Sequence, residues 1–68
     1  MRAYRPYLGR RVLVRCADVT YRARLHAVRG RTLVLSDVTA ASSDTPRPVD
    51  GLVLIELDQV LHVQVPPA

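Results

Sequence analysis

Residues Gly51 to Val65, GLVLIELDQVLHVQV, decide how the rest of this 68-residue chain is read. Leu52, Val53, Leu54 and Ile55 are apolar on both faces, the pattern of a strand covered on both sides rather than of a half-wet strand in an isolated small sheet. Glu56 and Asp58 break the run. Val60 to Val65 then alternates, with Leu61, Val63 and Val65 facing one way and Val60, His62 and Gln64 the other, as a strand with one core face does. A chain this short buries little of its surface on folding, so four consecutive apolar residues in one strand imply that another subunit covers part of them. Oligomerisation is the first expectation.

Composition points the same way. The chain is expected to be one domain, residues 1–68, near the lower size limit for a core without staples. Cys16 is alone, so no disulfide forms within the chain, and one Cys with two distant His spells no metal site. Association is the staple that remains. No cofactor motif is present, and no apolar run approaches the ~18 to 20 residues of a membrane span. Met1 to Arg15 is studded with arginine, unlike a secretory leader, and the expected compartment is the cytoplasm.

The net charge of +4 comes entirely from arginine, since there is no lysine. Residues 1–34 hold nine of the ten arginines and one acid, Asp18; residues 35–68 hold Arg47 and five acids. This asymmetry makes a basic face that attracts phosphates over roughly a Debye length, ~8 to 10 Å. Arginine also packs its stem and pairs with carboxylates, so a solvated surface is the competing reading.

Before the deciding stretch, Pro6 to Gly9 suits a short helical turn, with Pro early and Gly just past the end. Arg11 to Cys16 alternates, lining a core with Val12, Val14 and Cys16 while Arg11 and Arg15 stay wet. Val19 to Val28 places Tyr21, Ala23, Leu25 and Ala27 on one face and Arg22, Arg24 and His26 on the other. Arg29 and Gly30 turn the chain into a third strand, Arg31 to Val38, with Leu33 and Leu35 opposite Val34. Residues 39–50, TAASSDTPRPVD, have no periodicity and two prolines, and are expected to form a loop. Five short strands in so few residues predict an all-β fold, a strongly bent small barrel of SH3-like, OB-like or related kind.

The series Tyr21-x-Ala23-x-Leu25-x-x-Val28, Leu33-Val34-Leu35-Ser36-Asp37-Val38 and Gly51-Leu-Val-Leu-Ile-x-x-Asp58-Gln59-Val60-x-x-Val63 resembles the Sm-like family of Sm, LSm and Hfq proteins, in the family's order along nearly the whole chain. The resemblance implies a homo-oligomeric ring, mostly of roughly five to seven subunits, in which strand four of one subunit pairs with strand five of the next, leaving no free edge. It puts Leu52, Val53, Leu54, Ile55, Glu56, Asp58, Val60, Leu61, His62 and Val63 at the subunit interface. It also implies RNA binding of the chaperone type. RNA-binding members use an Asp and a Met-Asn pair in the loop between strands two and three and Arg-Gly in the loop between strands four and five. Here Arg29 stands at the Asp position, Arg31 and Thr32 stand near Met-Asn, and Glu56-Leu57 replaces Arg-Gly. The family's usual glycine is Ala23, and Hfq's Tyr-Lys-His run is absent.

If these loops face one another, Arg29 and Arg31 lie near Glu56 and Asp58 of the same or a neighbouring subunit. Paired, they are an assembly device worth ~0 to 1 kcal/mol each when exposed. Unpaired, Arg29, Arg31 and Thr32 hold RNA. The other candidate RNA contacts are Arg5, Arg10, Arg22 and Arg24, with Arg2, Arg11, Tyr4 and Tyr7 beside them. No catalytic residue is expected: His26 and His62 have no neighbouring nucleophile motif, and Ser36, Ser42 and Ser43 precede no strand-turn-helix elbow. Asp37 and Asp44 lack a cation-binding spacing. Two functions remain, an RNA-binding ring and a structural ring or scaffold without nucleic acid.

Overall fold

The structure, a computed structural model, describes residues 2–42 and 45–67, with side chains from Tyr4 onward. Ser43, Asp44 and the side chain of Arg2 lie outside the described residues. A 3-10 helix, Arg2–Tyr7, precedes six strands: β1 Arg11–Cys16, β2 Thr20–Arg29, β3 Thr32–Ala41, β4 Arg47–Val49, β5 Val53–Glu56 and β6 Val60–Gln64. A second 3-10 turn, Leu57–Gln59, joins β5 to β6. All pairings are antiparallel, in the order β4-β3-β2-β1-β6, with β5 also against β3.

The period-2 patterns of β1 and of β2 as far as Leu25 become the core directly; past a register shift, Val28 rather than the expected Ala27 packs against it. Val12, Val14, Ala23 and Leu25 are buried with Leu33, Leu35, Val38 and Ile55 in one cluster, while Cys16 and Tyr21 pack at its margin. Val34, expected on the opposite face from Leu33 and Leu35, is buried as well. The sheet bends because its ladders are irregular. Against β2, Arg24 faces Ser36 and Arg22 faces Thr39, so Asp37 and Val38 together oppose Ala23. Asp37 there adopts a left-handed φ of 50°. Such a bulge coils the strand and sharpens its twist. Ala23, fully buried, leaves room for that turn.

The bend divides β3 in two. Leu35 and the residues before it pair with β5, and Val38 to Ala40 pair with β4. Between β4 and β5 the chain turns at Gly51, whose φ of 81° suits glycine. The 39–50 loop is therefore shorter than expected: its first three residues extend β3 to Ala41, and Arg47–Val49 forms β4. Pro48 is tolerated there because β4 pairs on one side only, where a missing N–H costs little. Six strands replace the expected five for this reason. The N-terminal turn also differs, enclosing Pro6 rather than starting at it.

The expected barrel is a strongly bent but open sheet. β5 bonds only to β3 and β6 only to β1 among the described residues, so each keeps one unpaired edge.

Candidate subunit and nucleic-acid interface

The two open edges carry apolar side chains that the chain itself does not cover. In β5, Ile55 is buried and Val53 half-buried, but Leu54 is 66% exposed and the preceding Leu52 is 56% exposed. On β6, Val60 and Val63 face the core while Leu61 is 67% exposed. The run Leu52–Ile55 is thus buried on one face only within the chain. Covering Leu54 and Leu61 fully would contribute at most about 1.5–3 kcal/mol each. Glu56, Asp58 and His62 are exposed beside them. A cleft of about 350 Å³ lies between β5 and the β1–β2 turn, lined by Cys16, Asp18, Val19, Tyr21, Leu54 and Gln59 among others. Burial pushes the Cys16 thiol above its ordinary pKa, which keeps it protonated and weakly nucleophilic.

The loops after β2 and β5 do meet. Gly30, at φ 58°, turns the chain between Arg29 and Arg31. The Leu57 N–H donates to the Arg31 carbonyl at 2.8 Å. Thr32 is the ladder partner of Glu56, and its hydroxyl donates to Glu56 Oε1 at 3.5 Å. The expected arginine–carboxylate pairing within one subunit is not formed: among the described residues the ion pair is Arg24 Nε to Asp37 Oδ2, at 3.7 Å. Arg29 and Arg31 are exposed, and neither pairs with a carboxylate among the described residues.

The remaining candidate arginines do not join this rim. Arg10 donates to the Pro66 carbonyl at 3.0 Å, and Arg24 donates to the Gly9 carbonyl at 2.7 Å. Arg10, Arg11 and Arg24 border a shallow depression with Pro66 and Pro67. Arg22 is exposed on β2 near Leu13, Thr39 and Pro46. Arg5 is exposed on the first 3-10 helix, where Tyr4 packs against the core and Tyr7 reaches solvent. Arg15, outside the sequence-based set, is exposed on β1 on the same sheet face as Arg22. Its wet position was readable from strand alternation, but its neighbours across the ladder were not.

No family model and no curated protein matches the chain by sequence. Among solved structures, a heptameric archaeal Sm protein superposes with a TM-score of 0.83 at 20% identity, over 98% of this chain and 100% of that one. A chain of the NatC complex, crystallised bound to CoA, superposes with a TM-score of 0.79 at 22% identity, over 88% of this chain and 79% of that one. At these identities the likeness is one of fold.

Proposed function

We propose, from the premise that this chain has the Sm-like fold, that it assembles into a homomeric ring that binds RNA. The observation that carries the reading is the pair of unpaired edges, β5 with Leu54 and β6 with Leu61, both apolar and both in solvent. An edge of each kind on one subunit allows head-to-tail pairing, which closes into a ring when the rotation per subunit permits. The structurally similar archaeal Sm protein is heptameric, which supports a ring of that general size.

The support for RNA is electrostatic. A net charge of +4 carried by arginine, with Arg29 and Arg31 exposed at the inter-loop rim, suits phosphate contacts. Arg29, Arg31 and Thr32 are the rim contacts of this reading; replacement of the family's uridine-reading residues makes base selectivity there weak. The chain is a binding module rather than an enzyme, and its lone Cys16 suits a reducing, cytoplasmic compartment. Native mass spectrometry of protein purified without nuclease tests the proposal: a closed ring carrying RNA supports it, and a monomer sinks it.

A specific observation favours a second reading, a structural ring or scaffold without nucleic acid. The Leu57–Arg31 bond holds the turns that carry Arg29, Arg31, Glu56 and Asp58 together, which suits pairing of these arginines with the carboxylates of a neighbour. Similarity to a chain within the multi-protein NatC complex suits a scaffold too. Arg29→Ala with Arg31→Ala separates the two: a weakened ring supports the scaffold, an intact ring with weakened RNA affinity supports RNA binding.

A further inference from the structure

The register of β1 and β2 gathers four arginines that the sequence scatters over 14 positions, Arg11 to Arg24. Arg11 lies directly across from Arg24, Leu13 from Arg22, and Arg15 from Thr20. Because Val12, Val14 and Ala23 point into the core, Arg11, Leu13, Arg15, Arg22 and Arg24 all project from the other face. Arg22 is then the diagonal neighbour of both Arg11 and Arg15, about 7–8 Å away along the pleat. The same face continues as a polar surface, with Gln64 beyond Leu13, His62 beyond Arg15, Ser36 beyond Arg24 and Thr39 beyond Arg22. Among the described residues two acids flank it: Asp37, 3.7 Å from Arg24, and Asp18 at the hairpin tip.

Such a cluster works against folding. Like charges directly opposite on a ladder repel, and Arg11 faces Arg24 with, among the described residues, one exposed aspartate to offset them. An external polyanion removes that repulsion. We propose that this outer face of the β1–β2 hairpin, Arg11, Arg15, Arg22 and Arg24 around Leu13, is where single-stranded RNA lays its phosphates, without regard to base sequence. The inference rests on the RNA-binding reading above and adds to its rim contacts a second, larger surface.

The chemistry of the face selects the ligand. Its apolar content is small and scattered, with half-buried Leu13 beside Ala41 and Pro46 and exposed Leu61 beside Arg15 at the β6 edge, so the arginines rather than an apolar centre dominate the face. Its rings among the described residues are imidazoles, His62 beside Arg15 and His26 two residues on from Arg24, with no tyrosine, so contacts go chiefly to phosphate and sugar. A sheet face offers no protruding helix or ribbon to enter a duplex groove, whereas a single strand lies along it. Pairing of subunits through the edges of β5 and β6 leaves the face uncovered, so a ring repeats it in every subunit and one strand engages several copies.

The test measures binding of labelled oligo(U), oligo(A) and a mixed-sequence strand of equal length by fluorescence anisotropy across a salt series. The variants are R11Q/R15Q/R22Q, which spares the Arg24 bonds, and R29Q/R31Q at the rim. Each lost phosphate contact lowers the salt slope by about 0.7 for a single strand, so the triple variant should flatten it by about 2 for each subunit that the strand engages. Its affinity at low salt should fall at least about 10-fold, equally for all three strands. R29Q/R31Q, which removes the two rim contacts, should lower affinity less than the triple variant does, and R11K/R15K/R22K, which keeps the charge, should bind like the parent. Melting of the triple variant should match or exceed that of the parent, since it removes repulsion and no core contact, and its oligomeric state should be unchanged. If R29Q/R31Q carries the loss and the triple variant does not, the inference is overturned while RNA binding by the ring stands. Parent protein that binds no strand at low salt overturns both. Loss confined to oligo(U) points to base readout and overturns it, as does poly-glutamate binding as tightly as RNA of equal charge.

Discussion

The Leu57 amide donates to the Arg31 carbonyl at 2.8 Å, tying the turn after β2 to the turn after β5. This bond closes one end of the bent sheet and brings Arg29 and Arg31 to the level of Glu56 and Asp58. Leu57→Pro deletes the donor, and proline suits the first position of a helical turn. Leu57 also packs against the core. The expected cost is about 1–3 kcal/mol, read from urea denaturation, with a smaller share of assembled protein in native mass spectra. An unchanged midpoint would mean that the strand pairings alone hold the rim.

Leu54 and Leu61 lie on the two unpaired edges, largely in solvent. Leu54→Glu or Leu61→Glu should therefore leave the fold intact, with an unchanged circular dichroism spectrum, and shift the protein to monomer. A ring that persists in both variants would move the interface elsewhere.

Asp37 occupies a left-handed conformation that a β-branched residue adopts only at a cost of roughly 1–2 kcal/mol. Asp37→Val should lower stability by about that amount. Asp37→Asn keeps the conformational tolerance and loses only the exposed 3.7 Å pair with Arg24, worth ~0 to 1 kcal/mol. If both variants melt alike, the ion pair and not the backbone decides this position.

Leu35 is fully buried at the centre of β3, between β2 and β5. Leu35→Ala should cost about 2–5 kcal/mol. A chain of this length has a total stability on the order of 3–10 kcal/mol, so the variant should be largely unfolded by calorimetry at physiological temperature.

Burial raises the Cys16 pKa, so the folded chain keeps the thiol proton at a pH where the unfolded chain has lost it. That contribution is complete below the unfolded thiol pKa and disappears as pH rises through the folded value. Melting temperature should fall on the alkaline side, and Cys16→Ala should flatten that fall. A slope that survives the substitution would assign it to other groups.

Much of this was legible in the chain. Alternation of apolar and charged residues set the inward faces of β1 and β2, because a pleated strand has a fixed side-chain period. Val12, Val14, Ala23 and Leu25 are buried as that pattern requires. The surplus of apolar residues at 52–55 over what so small a chain can cover was equally plain, and Leu52 and Leu54 are the ones left outside. β4 was not legible. Arg47–Val49 has no apolar period and contains Pro48, and it is a strand only because Val38 to Ala40 offers it an edge.

The sequence alone therefore determined an arginine-rich, all-β chain with uncovered apolar residues in its last third, since composition and side-chain period depend on local order. Tertiary structure decided how the strands meet. Ladder register made neighbours of Arg11 and Arg24, the bulge at Asp37 split β3 between two partners, and the Leu57–Arg31 bond assembled the rim. Those relationships depend on bulges and backbone hydrogen bonds between distant residues, and no residue type in isolation encodes them.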